Sequence, residues 1–193
     1  MRNIILASAS PRRSELLSQI GIEFTVKVSD VDENIEVGNP ADMVMQLSKI
    51  KANAVYEMVK ENIDDTIIIG ADTVVVLDGK VLGKPKDEED AFAMLKSLSD
   101  RVHEVITGVT LMYIEAGNVN IDTFYEQTQV HTYPMGDEEI KEYIISKEPM
   151  DKAGSYGIQG LGGKFIKKID GDYNNVVGLP VSKIYQKLKK KGV

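Results

Sequence analysis

The chain has 193 residues, 42% of them hydrophobic, and its 30 acidic against 23 basic side chains leave a net charge of −7. That length fits one domain able to bury a sizeable core, and the acidic balance argues against a general nucleic-acid binder, which would present a basic face. Cysteine is absent, which excludes disulfides, thiolate nucleophiles and cysteine metal sites together and fits a reducing compartment.

No apolar stretch approaches the ~20 residues of a membrane span. The N-terminus has one arginine and only Ile4, Ile5 and Leu6 as an apolar run, so it does not read as a signal peptide. A cytoplasmic protein is the expectation. The same apolar run predicts a first strand, which leads straight into Ser8-Ala9-Ser10-Pro11-Arg12-Arg13. Proline suits the first turn of a helix, with Ser10 as N-cap, and the helix is expected over Arg12–Ile20, stopped by Gly21. A helix start offers free N–H groups and partial positive charge. Two adjacent guanidiniums there make a pocket suited to a phosphate chain. A capped surface helix with solvated arginines is the plainer alternative.

Phe24–Val28 alternates apolar and polar residues and reads as a second strand. An acidic loop over Ser29–Asn39 follows, containing Glu33. Pro40 opens a long helix whose buried face is read from Met43, Leu47, Ile50, Ala54 and Met58; Lys49 and Lys51 lie off that stripe. Thr66–Leu77 is β-branched and apolar on both faces, as a central strand would be. Gly70-Ala71-Asp72-Thr73 interrupts it. A glycine there admits a close backbone or ligand. An unpartnered buried aspartate costs several kcal/mol or more, so Asp72 faces a cation, a metal or a cleft, a salt-bridged strand-end aspartate being the structural alternative. Asp78-Gly79 signals a hairpin, with Lys80–Leu82 returning. Gly79 to Pro85 is not a P-loop: its first glycine is one residue too close and Pro85 stands where Ser or Thr is required. Lys84 remains as a point charge. Asp87 caps a helix through Leu98, with Ala91, Met94, Leu95 and Leu98 inward.

His103–Ile114 and Val119–Tyr133 read as paired strands, and Asp137 starts a short helix ending near Ser146. Gly154–Gly163 is too irregular for a regular element; Phe165 falls where a dinucleotide fingerprint needs glycine, so this stretch reads as a pocket-lining loop with Gln159 its one long uncharged polar side chain. Lys164–Ile169 and Tyr173–Val177 are expected as short strands, and Pro180 precedes a last helix, Val181–Lys191, whose lysines complement the helix dipole. His103 and His131 lack the companions of a zinc site, so carboxylates would hold a hard cation such as magnesium or manganese. No Gly-x-Ser-x-Gly elbow is present. The expected fold is α/β (α+β), a mixed β-sheet with flanking helices. A cation set (Arg12, Arg13, Lys51, Lys84) beside carboxylates (Glu33, Asp72) suits a polyphosphate, and points to a phosphate-ester or phosphoanhydride hydrolase.

Leu6-Ala7-Ser8-Ala9-Ser10-Pro11-Arg12-Arg13 resembles the opening signature of the Maf family of nucleotide pyrophosphatases. Gly70-Ala71-Asp72-Thr73, Gly83-Lys84-Pro85, Asp151-Lys152-Ala153-Gly154-Ser155-Tyr156-Gly157-Ile158-Gln159-Gly160 and Val177-Gly178-Leu179-Pro180 match its later blocks in order. The resemblance spans essentially the whole chain and implies a single Maf-like domain over residues 1–193. That domain would have two lobes around a central cleft, similar to inosine triphosphate pyrophosphatases. It implies hydrolysis of nucleoside triphosphates to monophosphate and pyrophosphate with a divalent cation, Mg²⁺ or Mn²⁺. Carried over, Asp72 is the proton acceptor; Ser8, Arg12, Arg13, Lys51 and Lys84 meet the triphosphate; Glu33 joins Asp72 around metal and water. The segments of Glu33 and Lys51 carry the weaker motifs. Arg12, Thr73 and Gln159 together resemble the branch that prefers dTTP and UTP. The resemblance allows a homodimer. It also carries a rival reading, a non-enzymatic septum regulator acting through a protein or nucleic-acid partner, for which the lysine-rich tail is the only sequence feature.

Overall fold

The computed structural model describes residues 2–32, 35 and 38–192. In chain order the elements are β1 (Asn3–Ala7), α1 (Pro11–Gln19), β2 (Thr25–Val26), α2 (Pro40–Val59), β3 (Thr66–Leu77), β4 (Lys80–Leu82), α3 (Glu88–Leu98), β5 (Val102–Glu115), β6 (Asn118–Thr132), α4 (Asp137–Ile145), β7 (Ile166–Asp170), α5 (Tyr173–Val177) and α6 (Val181–Lys189). Among the described residues the strands form one 7-stranded sheet in the order β2-β1-β3-β5-β6-β7, with β4 attached to β3. β1 runs parallel to both β2 and β3, while β4 and β7 are antiparallel to their partners. This is the expected mixed α/β class. The turn between β3 and β4 holds Asp78 and Gly79 at φ of 51° and 76°, the left-handed pair that a two-residue hairpin demands.

The chain divides into two compact units, one of Met1–Asp72, Thr107–Glu126 and Gly178–Val193, the other of Thr73–Ile106 and Gln127–Val177. The first is organised by α2. Asn39 caps that helix by accepting from the Asp42 N–H at 2.9 Å. A Cβ at Gly70 would strike the Ser48 carbonyl oxygen, and one at Gly108 would strike the backbone of Val44. Only glycine lets the helix backbone lie this close to β3 and β5. The small residues Ser48 and Ala52 face the strands for the same reason, and the buried set is Val44, Leu47, Ser48, Ala52, Val55 and Val59. The stripe expected from Met43, Ile50, Ala54 and Met58 is therefore rotated, and Met58 stands 60% exposed. Steric fit, not hydrophobic content, selects the face. Buried Ser48 is satisfied by the Met45 carbonyl and by Thr110 Oγ1, both at 2.8 Å.

In the second unit Val75 and Leu77 of β3 pack with Leu95 and Leu98 of α3 and with Ile140, Tyr143 and Ile144 of α4. Asp87 caps α3 through the Asp90 N–H at 2.8 Å. Three expectations are corrected. β2 is shorter than Phe24–Val28, because Val26 and Val28 lie exposed along an edge. Tyr173–Val177 is helical: Asp172 Oδ1 accepts from the Asn174 N–H at 2.8 Å, and buried Asn175 donates to the Val105 carbonyl and Thr128 Oγ1. That local capping outweighs the β-propensity of the valines. The stretch from Lys164 opens in a 3₁₀ turn, and β7 begins only at Ile166.

Candidate functional site

Within the first unit the strand register brings two polar pairs to one place. Ala7 of β1 is in register with Gly70 of β3. Ser8 leaves β1 one residue beyond that point and Asp72 lies two residues beyond it, so both emerge at the carboxyl end of the parallel pairing. Ligands of α/β sheets are commonly met at such ends.

The first pair is Ser8 and Arg13. Ser10 occupies the N-cap position but makes no side-chain cap bond; its N–H instead donates to Ser8 Oγ at 3.2 Å. Arg13 is buried, its Nη1 donating to Ser8 Oγ at 3.1 Å and its Nε to the Gly178 carbonyl at 2.9 Å. A guanidinium is always charged and offers five N–H donors, so burial fixes a full positive charge beside the Ser8 hydroxyl. Arg12 precedes it in the first turn of α1, half-buried.

The second pair is Lys51 and Asp72. Asp72 follows Gly70 at the strand period of two, so both point to the α2 side. Lys51 lies between Ser48 and Ala52, the residues that meet Gly70. Its Nζ reaches Asp72 Oδ1 at 2.6 Å, with side-chain exposures of 15% and 13%. The pair meets the expectation of a cation partner for Asp72, and it equally meets the salt-bridged structural alternative. The close approach at Gly70 is what delivers it.

The second unit holds Thr73, Lys84 and Gln159. Thr73 follows Asp72 in β3 and is half-buried; Lys84 is exposed just after β4. The Gly83 carbonyl beside Lys84 accepts from the Gly154 N–H at 3.0 Å. Gly154 sits at φ +67° and its missing Cβ would collide with Val75. Gln159 is exposed in a turn. Glu33 lies outside the described residues. Among the described residues there is no group of three or more His, Asp or Glu that could hold a metal ion.

Two residues not singled out from sequence organise this glycine-rich segment. Glu148 Oε2 accepts from the Leu161 N–H at 2.9 Å and Oε1 from the Gly162 N–H at 3.2 Å and the Tyr143 hydroxyl at 2.9 Å. The Tyr143 oxygen in turn accepts from the Gly157 N–H at 3.1 Å. The three glycines at 157, 160 and 162 were the available signal, since tightly spaced glycines mark a backbone that something approaches closely. His103 is also more than a strand residue. It is buried, its Nε2 lies 2.7 Å from the Tyr156 hydroxyl, and desolvation, assisted by the charge of His131, lowers its pKa to about 4.

Two of the tail lysines are engaged within the first unit. Lys183 pairs with Glu126 at 2.8 Å and Lys187 with Asp122 at 2.7 Å, both ammonium groups lying over the Phe124 ring. No helix among the described residues is long and apolar enough to cross a membrane.

A family model described as Maf-like protein matches residues 3–191. A curated relative from Agathobacter rectalis, named dTTP/UTP pyrophosphatase, is 52% identical over 205 aligned residues covering 100% of this chain and 99% of its own length. One of the same name from Carboxydothermus hydrogenoformans is 52% identical over 98% of each chain. A solved nucleoside-triphosphatase / dITP/XTP pyrophosphatase from Mycobacterium abscessus overlaps 98% of this chain and 96% of its own, at 13% identity and a TM-score of 0.45, too low to carry a fold assignment. With a family match running from residue 3 to residue 191 and relatives 52% identical over nearly the whole chain, this chain belongs to the family of Maf-like proteins.

Proposed function

We propose that this chain is a dTTP/UTP pyrophosphatase, releasing pyrophosphate and a nucleoside monophosphate by attack of water on the α-phosphorus. Relatives at 52% identity over nearly their full length carry that name. The structural observation that supports it most is the Lys51–Asp72 pair, 2.6 Å apart and mostly sheltered from water. An ionised carboxylate only accepts hydrogen bonds. With Oδ1 turned to Lys51, Asp72 takes the proton of the attacking water on its carboxylate and acts as general base. Lys51 holds that carboxylate in place and adds positive charge beside the phosphates.

Arg12, Arg13 and Ser8 complete the triphosphate site of the first unit in this reading, while Lys84 rests on the family resemblance alone. Arg13 contributes its buried charge and fixes the Ser8 hydroxyl; Arg12 stabilises negative charge on the departing pyrophosphate. Hard carboxylate oxygens are what Mg²⁺ or Mn²⁺ prefers. A single described carboxylate, Asp72, fits a cation that arrives already chelated by the triphosphate, with Glu33 as a second donor. Such a cation supplies charge neutralisation on the phosphate oxygens.

Thr73 and Gln159 set the choice of base. A glutamine amide presents one acceptor and one donor group, which meet the ring N–H and neighbouring carbonyl of uracil or thymine. Cytosine shows the opposite order on that edge, so an amide set to pair with uracil leaves polar groups unpaired against cytosine, a basis for rejection. We place this activity in the cytoplasm. The test is a panel of nucleoside triphosphates with Mg²⁺ or Mn²⁺, assayed separately for pyrophosphate and orthophosphate. Pyrophosphate from dTTP and UTP ahead of CTP and the purines is the expected result; orthophosphate release or a purine preference overturns the reading.

A further inference from the structure

The segment carrying Gln159 has little regular structure of its own. From Gly157 to Gly162 it runs through a turn into a 3₁₀ turn, and its packing is dominated by glycine. Free, such a segment would sample many conformations, since glycine restricts the backbone least. Here both of its ends hang from one small polar cluster. At the near end the Gly157 N–H donates to Tyr143 Oη at 3.1 Å. At the far end the Leu161 and Gly162 N–H groups donate to the two carboxylate oxygens of Glu148 at 2.9 and 3.2 Å. The cluster closes on itself, because Tyr143 Oη donates to Glu148 Oε1 at 2.9 Å.

The glycines are the counterpart of this arrangement. A Cβ at Gly160 would collide with the Glu148 carboxylate, and one at Gly162 would stand 2.6 Å from Tyr143 Oη. The clamp itself is anchored. Tyr143 is buried on α4 with its ring 5.5 Å from that of Phe165. The Glu148 backbone carbonyl accepts from Lys152 Nζ at 2.6 Å. Burial works to raise the Glu148 pKa, yet the N–H bonds from Leu161 and Gly162, the Tyr143 hydroxyl and the Lys152 charge together hold it below the usual carboxylate range. At neutral pH it is ionised and can accept all of these bonds.

We propose that Tyr143 and Glu148 are positioning residues for nucleobase discrimination: they fix both ends of the 157–162 segment and so hold Gln159, at its turn, in one place relative to the base. The inference rests on the reading that Gln159 meets the base edge. Its logic is steric. The amide can present donor and acceptor in either order by turning about its own terminal torsion, so the clamp does not choose the order. It fixes the distance and angle at which the Gln159 amide reaches the base edge, and on a wandering backbone that contact, with the preference it carries, would be lost.

The test compares kcat/KM for UTP and CTP in the wild type, Gln159→Ala, Glu148→Gln, Tyr143→Phe, and each clamp variant combined with Gln159→Ala. Glu148→Gln keeps shape but loses acceptor capacity, and is expected to lower the UTP:CTP ratio roughly tenfold, the loss of about one buried hydrogen bond's net effect. The change should appear in KM for UTP, with CTP turnover unaltered. Tyr143→Phe keeps the ring on Phe165 and should lower the ratio about threefold. In the Gln159→Ala background neither substitution should reduce the ratio further, because residues acting through one group are not additive. Should Glu148→Gln fail to fold, Tyr143→Phe decides alone. If Gln159→Ala leaves the ratio untouched, the base-reading role itself fails and this inference goes with it. If Gln159→Ala collapses the ratio while the clamp variants preserve it, depress UTP and CTP alike, or add in full to Gln159→Ala, the clamp is refuted and the role of Gln159 stands.

Discussion

Gly70 and Gly160 look alike in sequence and sit in opposite kinds of structure. A Cβ at Gly70 would meet the carbonyl of Ser48 in α2; a Cβ at Gly160 would meet the carboxylate end of Glu148. The first obstacle is backbone and cannot yield. The second is a side chain, which can move at the cost of its hydrogen bonds. Around Gly70, charged groups ride on a helix and a strand locked face to face. Around Gly160, irregular backbone hangs from a few side chains. The first arrangement holds the proposed general base rigidly, and the second can be retuned with less cost to the fold.

Asp72→Asn breaks the chemistry of the rigid region and carries the largest expected effect. Turnover should fall about 10³-fold, in the range for loss of a general base, while nucleotide titration shows binding retained. Undiminished pyrophosphate release would remove Asp72 from the mechanism. Next comes the pair of glycines. Gly70→Ala should destabilise by about 3 kcal/mol, typical of overpacking against unyielding neighbours. Gly160→Ala should cost about 1 kcal/mol, the ordinary size for a point change. Urea unfolding of both variants reads the difference, and equal losses would erase the distinction.

Acid probes the second unit by itself. His103 is neutral when folded, with a pKa lowered to about 4 by burial first and the charge of His131 second, and its Nδ1 has no hydrogen-bond partner among the described residues. Unfolded, the imidazole would bind a proton near pH 6.5. The folded state is therefore at no disadvantage above pH 6.5 and loses stability as pH falls from 6.5 toward 4, by roughly 3 kcal/mol across that window. Unfolding free energies at a series of pH values should show this slope in the wild type and a shallower one in His103→Gln, where only carboxylates such as Glu148 still lose stability with acid. The smallest effect is expected from Ser8→Ala. It removes the hydroxyl bonded to Arg13 Nη1 and the Ser10 N–H and should raise KM several-fold with a stability loss of about 1 kcal/mol.

The regular parts of this molecule were readable because local signals agree there. Thr66–Leu77 is a strand over the whole expected range, and Asn39 and Asp87 cap where helices were expected to begin. The buried face of α2 was not readable from hydrophobicity, because Gly70 and Gly108 in other elements choose it. The sequence singles out Asp72 by its cost in an apolar strand, and Lys51 only as one of a set of cations suited to a polyphosphate, not as the partner of Asp72. Lys51 reaches Asp72 through tertiary fit alone, which a stripe along one helix does not encode. Tyr143 and Glu148 carry no local motif; their role exists only once the glycine segment folds back on them.

The most direct measurement runs the reaction in ¹⁸O-labelled water with UTP and locates the label by mass spectrometry. Water attack at the α-phosphorus puts ¹⁸O into UMP and leaves pyrophosphate unlabelled. Label in pyrophosphate, or in orthophosphate released alongside UDP, would contradict it.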